Sequence, residues 1–525
     1  MMRQGMALQQ NALRWPSSAH AHRLQRWSRV SEASRQDGAF AIMFIPLLMV
    51  IIGFCGLAID IGFVYNRKVD VQGVAKAAAL AAARELNGTP AGIAAARAAA
   101  REAAEALRYK HFNAGVAFVW DDEALSFSTG SDRAGTWIPS ASAGGQPAAQ
   151  IGALYFARVD TARLDPGIGE VNTVIMGLLD DGLASVRING SAIAGRTSLN
   201  VTPLGICAMS PDAAAARTAT TPAGATASEL VQYGFRRGVS YDLMKLNPNG
   251  IEPLRFAINP VAAPGTSGSA LSIAALERFV CSGSMWLQRL SGGEIRVSEL
   301  PSAAPLASLR GALNTRLDQY SGTSCEPVGA PPDFNIQAYT YATAGVVKWM
   351  SPGSGSPAAA STTVRGKLET VADLPGPPPS PEQYGPLWAH AKAVRAPSPL
   401  DAAEPANGYS SFGTGDWATI YKLGPTAASY PSSPPTPYQS GNAGTGNYLA
   451  PSNTNSKFKV GRRRVLNIPL LSCSPAAPNG ANAPATVAGI AKFFMTIPAT
   501  DDSLVAEFGG LIPERSLTGQ VELFP

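Results

Sequence analysis

The stretch of sequence that decides the architecture lies at residues 38–83 and reads GAFAIMFIPLLMVIIGFCGLAIDIGFVYNRKVDVQGVAKAAALAAA. Its first part, Gly38–Ile59, contains 22 consecutive residues without a charge. A helix rises about 1.5 Å per residue, so this run can cover the roughly 30 Å hydrocarbon core of a bilayer. The basic residues Arg67 and Lys68 follow shortly, as is typical of a membrane boundary. We therefore predict a transmembrane helix over residues 38–65.

A basic tail precedes this helix. Residues 1–37 carry six arginines against two acidic residues, a net charge of +4 in a chain whose total is +5. Basic residues before a first membrane helix favour retention of that flank in the cytoplasm, so we expect the large C-terminal part to be translocated. The apolar run exceeds the roughly 7–15 residues of the apolar region of a signal peptide, which favours an uncleaved signal-anchor over a cleaved secretory signal. The remainder of the chain is nearly neutral, so no nucleic-acid-binding surface is expected.

Composition and periodicity divide the rest of the chain. An alanine-rich helical stem is predicted over residues 66–114, with a break at Asn87–Pro90, because Asn-Gly and Pro interrupt helical hydrogen bonding. Alternating apolar residues then predict a small α+β module over residues 115–200. A β-rich domain is predicted over residues 201–525. Its Pro/Gly/Ser-rich stretches are expected to be disordered insertions near residues 213–227, 351–361, 374–381 and 424–456.

The same patterns predict individual elements within these regions. A short helix is expected at residues 172–179. Short strands are expected at residues 116–120, 124–127, 136–138, 154–159 and 185–193, and core strands at residues 465–471, 489–495, 504–508 and 521–524.

The cysteines indicate an oxidising compartment. Cys55 lies within the apolar run, where we expect a small packing residue. The other four, Cys207, Cys281, Cys325 and Cys473, lie in the large domain, and an even number in a translocated domain favours two disulfides. The sequence permits three connectivities; our hypothesis pairs Cys281 with Cys325 in the shorter loop and Cys207 with Cys473 in the longer one. No CxxC pair occurs, so a zinc site is not expected.

Residues with catalytic potential are sparse. His111 and His390 are the only histidines outside the tail, and Ser-His-Asp or Cys-His sites need a histidine base. No P-loop, dinucleotide-binding fingerprint or EF-hand pattern occurs. The acidic pairs Asp121-Asp122 and Asp180-Asp181 could bind calcium, but we expect solvated turns. We expect Arg462–Arg464 to form a solvated edge or a salt bridge, with binding of an anionic ligand as the alternative. We therefore expect a non-enzymatic protein without catalytic, cofactor-binding or metal-binding residues and without a small-molecule substrate; a hydrolase that uses His390 is an alternative.

The N-terminal region resembles a known family. Arg35–Ala39, the apolar run, Gly56–Asp60, Gln72 and the alanines at 77–83 resemble the TadE/TadG-like N-terminal region of Flp pilus-assembly proteins. Lys76 departs from that pattern, since an acidic residue is common there. The resemblance implies anchoring in the bacterial inner membrane and a role in the tight-adherence (Tad) pilus machinery. Further similarity at residues 313–320, 331–336 and 463–473 favours the TadG type over the smaller TadE and TadF.

These observations together predict an α+β protein. A long N-terminal transmembrane helix continues into a helical stem and is followed by a mixed, β-rich periplasmic domain with long Pro/Gly/Ser loops. The resemblance implies contacts with the inner membrane and with other pilus-assembly or pseudopilin-like subunits through the N-terminal helix. Asp60 is a candidate intramembrane contact, since a carboxylate at that depth seeks a partner; alternatively it only marks the interface. A surface adhesin or secreted structural protein with the same anchor is the alternative function.

Overall fold

The computed structural model describes residues 37–525 except 112–118, 165–167, 221–223, 225, 263, 292, 341–348, 350–355, 375, 377–379, 423–425, 429, 432, 442–445 and 518. The predicted basic tail therefore lies, apart from Asp37, outside the described residues. The chain divides into two compact units. The described part of the first comprises Asp37–Phe63 and Thr173–Ala184, and the second comprises Val64–Asn172 and Ser185–Pro525.

The predicted α+β class is confirmed, since a long apolar helix precedes a β-rich region with mixed sheets. The helices are α1 (Asp37–Glu85), α2 (Pro90–His111), α3 (Ser140–Ala143), α4 (Ala148–Ile151), α5 (Ile175–Leu179), α6 (Glu277–Ser282), α7 (Arg310–Asn314) and α8 (Trp417–Ile420). The strands are β1 (Leu125–Ser128), β2 (Ile138–Pro139), β3 (Phe156–Asp160), β4 (Glu170–Asn172), β5 (Ser185–Arg187), β6 (Ser191–Arg196), β7 (Leu204–Cys207), β8 (Ala215–Thr220), β9 (Thr226–Gln232), β10 (Phe235–Arg236), β11 (Ser240–Asp242), β12 (Arg255–Ile258), β13 (Ile295–Glu299), β14 (Ser361–Val364), β15 (Lys367–Thr370), β16 (Val465–Leu471), β17 (Ala483–Ala485), β18 (Val487–Met495), β19 (Val505–Leu511) and β20 (Val521–Phe524).

Helix α1 changes character along its length. From Met43 to Phe63 most of its large apolar side chains are exposed, by 40% to 75%. In the part of the chain that the structure describes, one helix is long and apolar enough to cross a membrane, and it is this one, over Met43–Glu85. From Val71 onward its apolar side chains are instead buried against protein. The exposed part is therefore the candidate anchor, and the buried part belongs to the stem.

The stem is a helical pair built on alanine. Ala78 and Ala82 of α1 and Ala96 and Ala100 of α2 are fully buried in one apolar cluster, where their small side chains permit close packing. The break between the helices arises at Asn87, whose side-chain oxygen accepts the backbone N–H of Thr89 at 3.1 Å. Asn, Gly and Thr thus stop one helix and cap the next.

A five-stranded antiparallel sheet packs against this pair in the order β2-β1-β3-β6-β20. Its last strand comes from the C-terminus: Val521 pairs with Arg196 and Phe524 with Ile193. The ring of Phe524 lies 5.1 Å from the ring of Phe156, edge to face. The C-terminal strand therefore completes the sheet of the predicted 115–200 module. The division of the chain into modules at residues 115–200 and 201–525 stays a prediction.

The large domain is organised by an eight-stranded sheet in the order β11-β19-β18-β16-β7-β12-β13-β17. All pairs are antiparallel except β16 with β7, where Leu470 faces Ile206. An apolar cluster that includes Ile468 and Phe493 contains much of the aromatic content of the long loops. A second cluster contains Phe256 and the disulfide residues Cys207 and Cys473.

Most core strands lie close to where the sequence predicts them. Strands β16 and β20 have the predicted bounds. Strand β18 starts two residues before the predicted range, and β19 starts one residue later and ends three residues later than predicted. The strand predicted at 185–193 is instead two strands, β5 and β6, because Asn189-Gly190 interrupts the ladder. The helix predicted at 172–179 starts later, as α5 after β4. Residues 116–118 of the first predicted strand lie outside the described residues.

Two of the expected disordered insertions differ from expectation where they are described. Strand β8 and the start of β9 form an antiparallel hairpin inside residues 213–227. Within residues 424–456, Tyr438 is only 3% exposed, and Tyr430 donates its hydroxyl to the carbonyl of Trp388 at 3.0 Å. The aromatic side chains of residues 424–456 bury enough apolar surface to hold that stretch on the domain. The insertions near 351–361 and 374–381 lie partly outside the described residues.

Candidate functional site

The candidate site lies on the exposed part of α1, at Asp60. Asp60 is only 2% exposed, although the residues next to it on the helix are exposed. Its Oδ1 accepts the backbone N–H of Val174 at 3.1 Å, and its Oδ2 accepts those of Ile175 at 2.7 Å and Met176 at 2.8 Å. These amides open helix α5, where backbone donors have no intrahelical partner. Asp60 therefore caps α5 from a different helix.

Gly56 lies one turn before Asp60, on the same face of α1. A Cβ atom at this glycine would lie 2.2 Å from Cγ1 of Ile175, too close for a real contact. The absence of a side chain at Gly56 thus provides the space that Ile175 occupies. By contrast, a Cβ at Gly53 or Gly62 would meet nothing within 4 Å. Gly56 and Asp60 together form a docking site for the segment Thr173–Ala184.

The docked segment, Thr173–Ala184, is closed by its own hydrogen bonds. The N–H of Thr173 donates to the carbonyl of Ala184 at 3.0 Å, and the hydroxyl of Thr173 donates to the carbonyl of Leu183. The carboxylate of Asp180 accepts the N–H of Gly182 at 2.8 Å, so this acidic residue of the predicted solvated turn has a structural role. The large apolar residues of the segment are exposed: Val174 by 69%, Leu178 by 79% and Leu179 by 75%.

The other acidic pair also has a partner. Asp122 accepts the guanidinium of Arg97 at 2.5 Å and the indole N–H of Trp120 at 2.8 Å. These bonds tie α2 to the first turn of the small module. Desolvation raises the pKa of the Asp122 carboxyl, but these hydrogen bonds and the nearby arginines outweigh it, so the pKa is lowered overall. The expectation of a merely solvated turn is wrong at Asp122.

A second polar cluster is buried in the large domain. The Asp333 carboxylate accepts the Tyr438 hydroxyl at 2.9 and 3.0 Å and the backbone N–H of Arg464 at 2.9 Å. The guanidinium of Arg464 donates to four backbone carbonyls at 2.8 to 3.0 Å, those of Asn335, Gln337, Met495 and Thr496. Residues from three distant segments of the chain, Asp333, Tyr438 and Arg464, therefore meet here. Their buried polar groups have hydrogen-bond partners within the network, as is typical of a structural role.

The predicted solvated edge at Arg462–Arg464 is wrong for two of its three residues. Arg464 is fully buried, and Arg463 donates to the carbonyls of Cys281 at 2.7 Å and Ser282 at 2.9 Å. Only Arg462 is exposed. Arg463 and Arg464 directly precede the largely buried strand β16, and Arg463 is half-buried while Arg464 lies in the interior with the strand. Backbone carbonyls, and not carboxylates, accept the hydrogen bonds of their guanidinium groups.

The four cysteines of the large domain form two disulfides. Cys207 bonds to Cys473 with a Cα–Cα distance of 5.5 Å, and Cys281 bonds to Cys325 with a Cα–Cα distance of 5.9 Å. These are the two pairs of the sequence hypothesis. Cys55 is a free cysteine and is exposed on α1, so its packing role remains a prediction. The first bond joins β7 to the end of β16, next to the parallel pair of the large sheet.

His390, the candidate base, is enclosed by the core. Its ring stacks on Phe494 with centroids 4.7 Å apart, and burial lowers the pKa of His390 to about 3. The backbone N–H groups of Ala389, His390 and Ala391 donate to the carboxylate of Glu507 at 2.5 to 2.9 Å. The side chain of His111 lies outside the described part of the chain. Among the described residues, no group of three His, Cys, Asp or Glu is arranged to hold a metal ion.

Sequence reasoning singled out Asp60 but missed its partner. The available signal was the run Val174–Leu179, six uncharged and mainly apolar residues directly after a short strand. Such a run in a loop is unusual unless it is covered. It also missed the Asp333–Arg464 network, although both residues lie in segments that were quoted for the family resemblance.

The chain combines one long, apolar, exposed helix with a β-rich region that contains two disulfides. This combination is consistent with the class of membrane-anchored proteins. Residues 38–85 match the family model described as "Putative Flp pilus-assembly TadE/G-like". No curated protein and no solved structure matches the chain. The match covers helix α1 from Gly38 to Glu85, so the similarity to Tad pilus-assembly proteins lies in this helix.

Proposed function

We propose that this protein is a membrane-anchored, non-enzymatic component of Flp-type (Tad) pilus assembly or anchoring, of the TadG type. Helix α1 spans the bacterial inner membrane once, the N-terminus lies in the cytoplasm, and the large domain lies in the periplasm. The observation that carries the proposal is the family match over residues 38–85, which coincides with the exposed apolar helix.

Two further features support this arrangement. Disulfides persist in the periplasm and are rare in the cytosol, and both disulfides lie in the domain after the helix. The six arginines of residues 1–37 favour a cytoplasmic N-terminus.

The proposed partners are other pilus-assembly or pseudopilin-like subunits that contact α1 within the bilayer. Asp60 is already engaged within its own chain, so its proposed contact with another subunit would have to compete with three backbone amides. Gly53 and Gly62 leave open space on the helix surface, and small residues allow a second membrane helix to approach closely.

The assembly role is tested by deleting the gene and counting surface pili. We expect piliation to be lost and to be restored by the full chain. A variant in which a cleavable signal peptide replaces residues 1–63 is the matched control, since it delivers the large domain and the buried stem part of α1 without the exposed anchor. Restoration by that variant would show that the helix is dispensable, and unchanged piliation after deletion would contradict the proposal altogether.

The orientation is tested separately with reporter fusions. A reporter that is active only in the periplasm is expected to be active when fused after residue 110 and inactive when fused before residue 35. The opposite pattern would overturn the proposed topology without bearing on pilus assembly.

No observation favours the adhesin alternative among the described residues. An adhesin would need exposed aromatic side chains, and the tyrosines of residues 424–456 are the candidates. Tyr438 is buried, and the ring of Tyr430 lies 5.8 Å from that of Trp417 within the core. These side chains stabilise the domain.

A further inference from the structure

The segment Thr173–Ala184 carries an apolar surface that the described part of the chain does not cover. Val174, Leu178 and Leu179 are each more than two thirds exposed, and Leu183 is 40% exposed. The charges of the segment, Asp180 and Asp181, are adjacent and follow the apolar run. A compact cluster of exposed leucines is uncommon on a surface in contact with water.

The position of this surface identifies what surrounds it. The segment is docked at Gly56 and Asp60, and the neighbouring side chains of α1, Ile59 and Phe63, are exposed by 57% and 56%. The apolar surface of the helix and that of the segment are therefore continuous. Whatever environment solvates the helix at this level also reaches the segment, and a helix with apolar residues on every side is solvated by lipid.

The backbone of the segment meets the condition for entering lipid. In the bilayer, unpaired N–H and C=O groups are costly, so spanning or inserting elements satisfy them internally. Asp60 takes the three amides that begin α5, and the hydrogen bonds between Thr173 and Ala184 close the other end. A loop in water would not need these bonds, because water molecules could accept hydrogen bonds from its backbone N–H groups.

The arrangement also accounts for a charge inside an apolar run. Beyond Asp60 the sequence Ile61–Asn66 is again uncharged, up to Arg67. At about 1.5 Å per residue, Asp60 lies roughly 10 Å before that basic boundary. With its carboxylate bound to backbone amides, Asp60 does not have to mark the edge of the membrane, and the lipid-exposed surface extends toward Tyr65.

We propose that Thr173–Ala184 inserts its apolar side chains into the same lipid leaflet that surrounds residues 56–65 of α1. The partner is the acyl-chain region of the bilayer. This inference rests on the membrane-anchoring part of the proposed function and adds a second point of membrane contact to the single helix.

The test uses the full chain with the free cysteine removed by Cys55→Ser and the disulfides intact. Single cysteines are introduced by Leu178→Cys and Leu179→Cys, by Met49→Cys within the helix, and by Ala403→Cys at an exposed site of the large domain. Each is labelled with an environment-sensitive fluorophore. The proteins are reconstituted in vesicles of phosphatidylethanolamine and phosphatidylglycerol, with and without brominated acyl chains.

The labels at positions 178 and 179 are expected to be quenched by brominated lipid nearly as strongly as that at 49, while the label at 403 is unaffected. If brominated lipid quenched the label at position 49 but left those at 178 and 179 unaffected, like the label at 403, the inference would be overturned and the anchor would stand. A water-shielded emission at 178 and 179 without quenching would mean that a second copy covers the surface, and would also overturn it. Absence of quenching at 49 would refute the anchor itself.

Discussion

At the scale of single residues, Gly56 and Asp60 together hold the segment Thr173–Ala184 against α1. The glycine provides space for Ile175, and the carboxylate holds the amides that start α5. Neither residue would dock the segment alone, because hydrogen bonding requires the close approach that only Gly56 permits. A membrane helix normally has no reason to keep a carboxylate at this depth, so the pairing explains the residue type at both positions.

Gly56→Leu is expected to displace the segment Thr173–Ala184. The new side chain would occupy the volume of Ile175, and the amides at 174–176 would lose their acceptor. Their hydrogen exchange, measured by mass spectrometry on the full chain in detergent, should accelerate by roughly tenfold or more. Gly53→Leu is the matched control, since a Cβ there meets nothing within 4 Å. Equal exchange in the two variants would argue against the docking site.

The buried Arg464 gives a prediction for the large domain. Arg464→Met would remove a hydrogen-bond donor from four backbone carbonyls, and we expect it to lower the free energy of unfolding by about 3 kcal/mol or more. The measurement is denaturant unfolding followed by tryptophan fluorescence.

Arg462→Met is the control for that measurement, because Arg462 is exposed and a surface substitution changes stability by roughly 0.5 kcal/mol or less. If both variants had the same stability as the parent, the buried network would not contribute to folding.

At the scale of elements, β20 shows a pairing that local sequence cannot reveal. Its alternation and its bounds are readable at residues 521–524, but its partner β6 lies in a distant part of the chain. Edge-strand pairing depends on which backbone remains free after the rest has folded. The C-terminal strand fills the open edge of β6 and thereby protects it.

Removal of β20 by truncation after Gly519 is expected to expose that edge. The amides of β6 that face β20, within Ile193–Arg196, should exchange roughly tenfold faster or more because their strand becomes the edge of the sheet. Glu522→Ala, a change at an exposed position of the same strand, should leave their exchange unaltered. Unchanged protection in the truncated chain would mean that β20 adds nothing to the sheet.

The same contrast explains how much of the fold and the site was predictable. The anchor, the stem and the core strands β16, β18 and β19 are local patterns of apolar residues, and the sequence predicts them. The burial of Tyr438 and Arg464 is not local. A tyrosine in a Pro-rich stretch and an arginine in a basic cluster are both expected to be solvated, until their distant partners, the Asp333 carboxylate and the backbone carbonyls, are known. Asp60 was predictable as a residue, but its partner segment was not.

At the scale of the whole molecule, the interior of the large domain makes stability depend on pH. Burial raises the pKa of Glu507 to about 7, although three backbone N–H groups oppose the effect. A carboxyl with a raised pKa binds its proton more tightly when the protein is folded. Its contribution to stability is therefore complete below the unfolded-state pKa, near 4.5, and is lost as the pH rises through about 7.

The corresponding experiment compares the parent chain with Glu507→Gln, which cannot titrate. Over pH 4.5 to 8 the free energy of unfolding of the parent, relative to the variant, should fall by about 3 kcal/mol, since each pKa unit corresponds to about 1.4 kcal/mol. His390 stacks beside this site, but burial lowers its pKa to about 3, so it stays neutral in the folded state of both proteins over this range and cancels from the comparison. A difference that stays constant with pH would show that Glu507 is ionised throughout, held by the amides of residues 389–391 in the same way that Asp60 is held by those of α5.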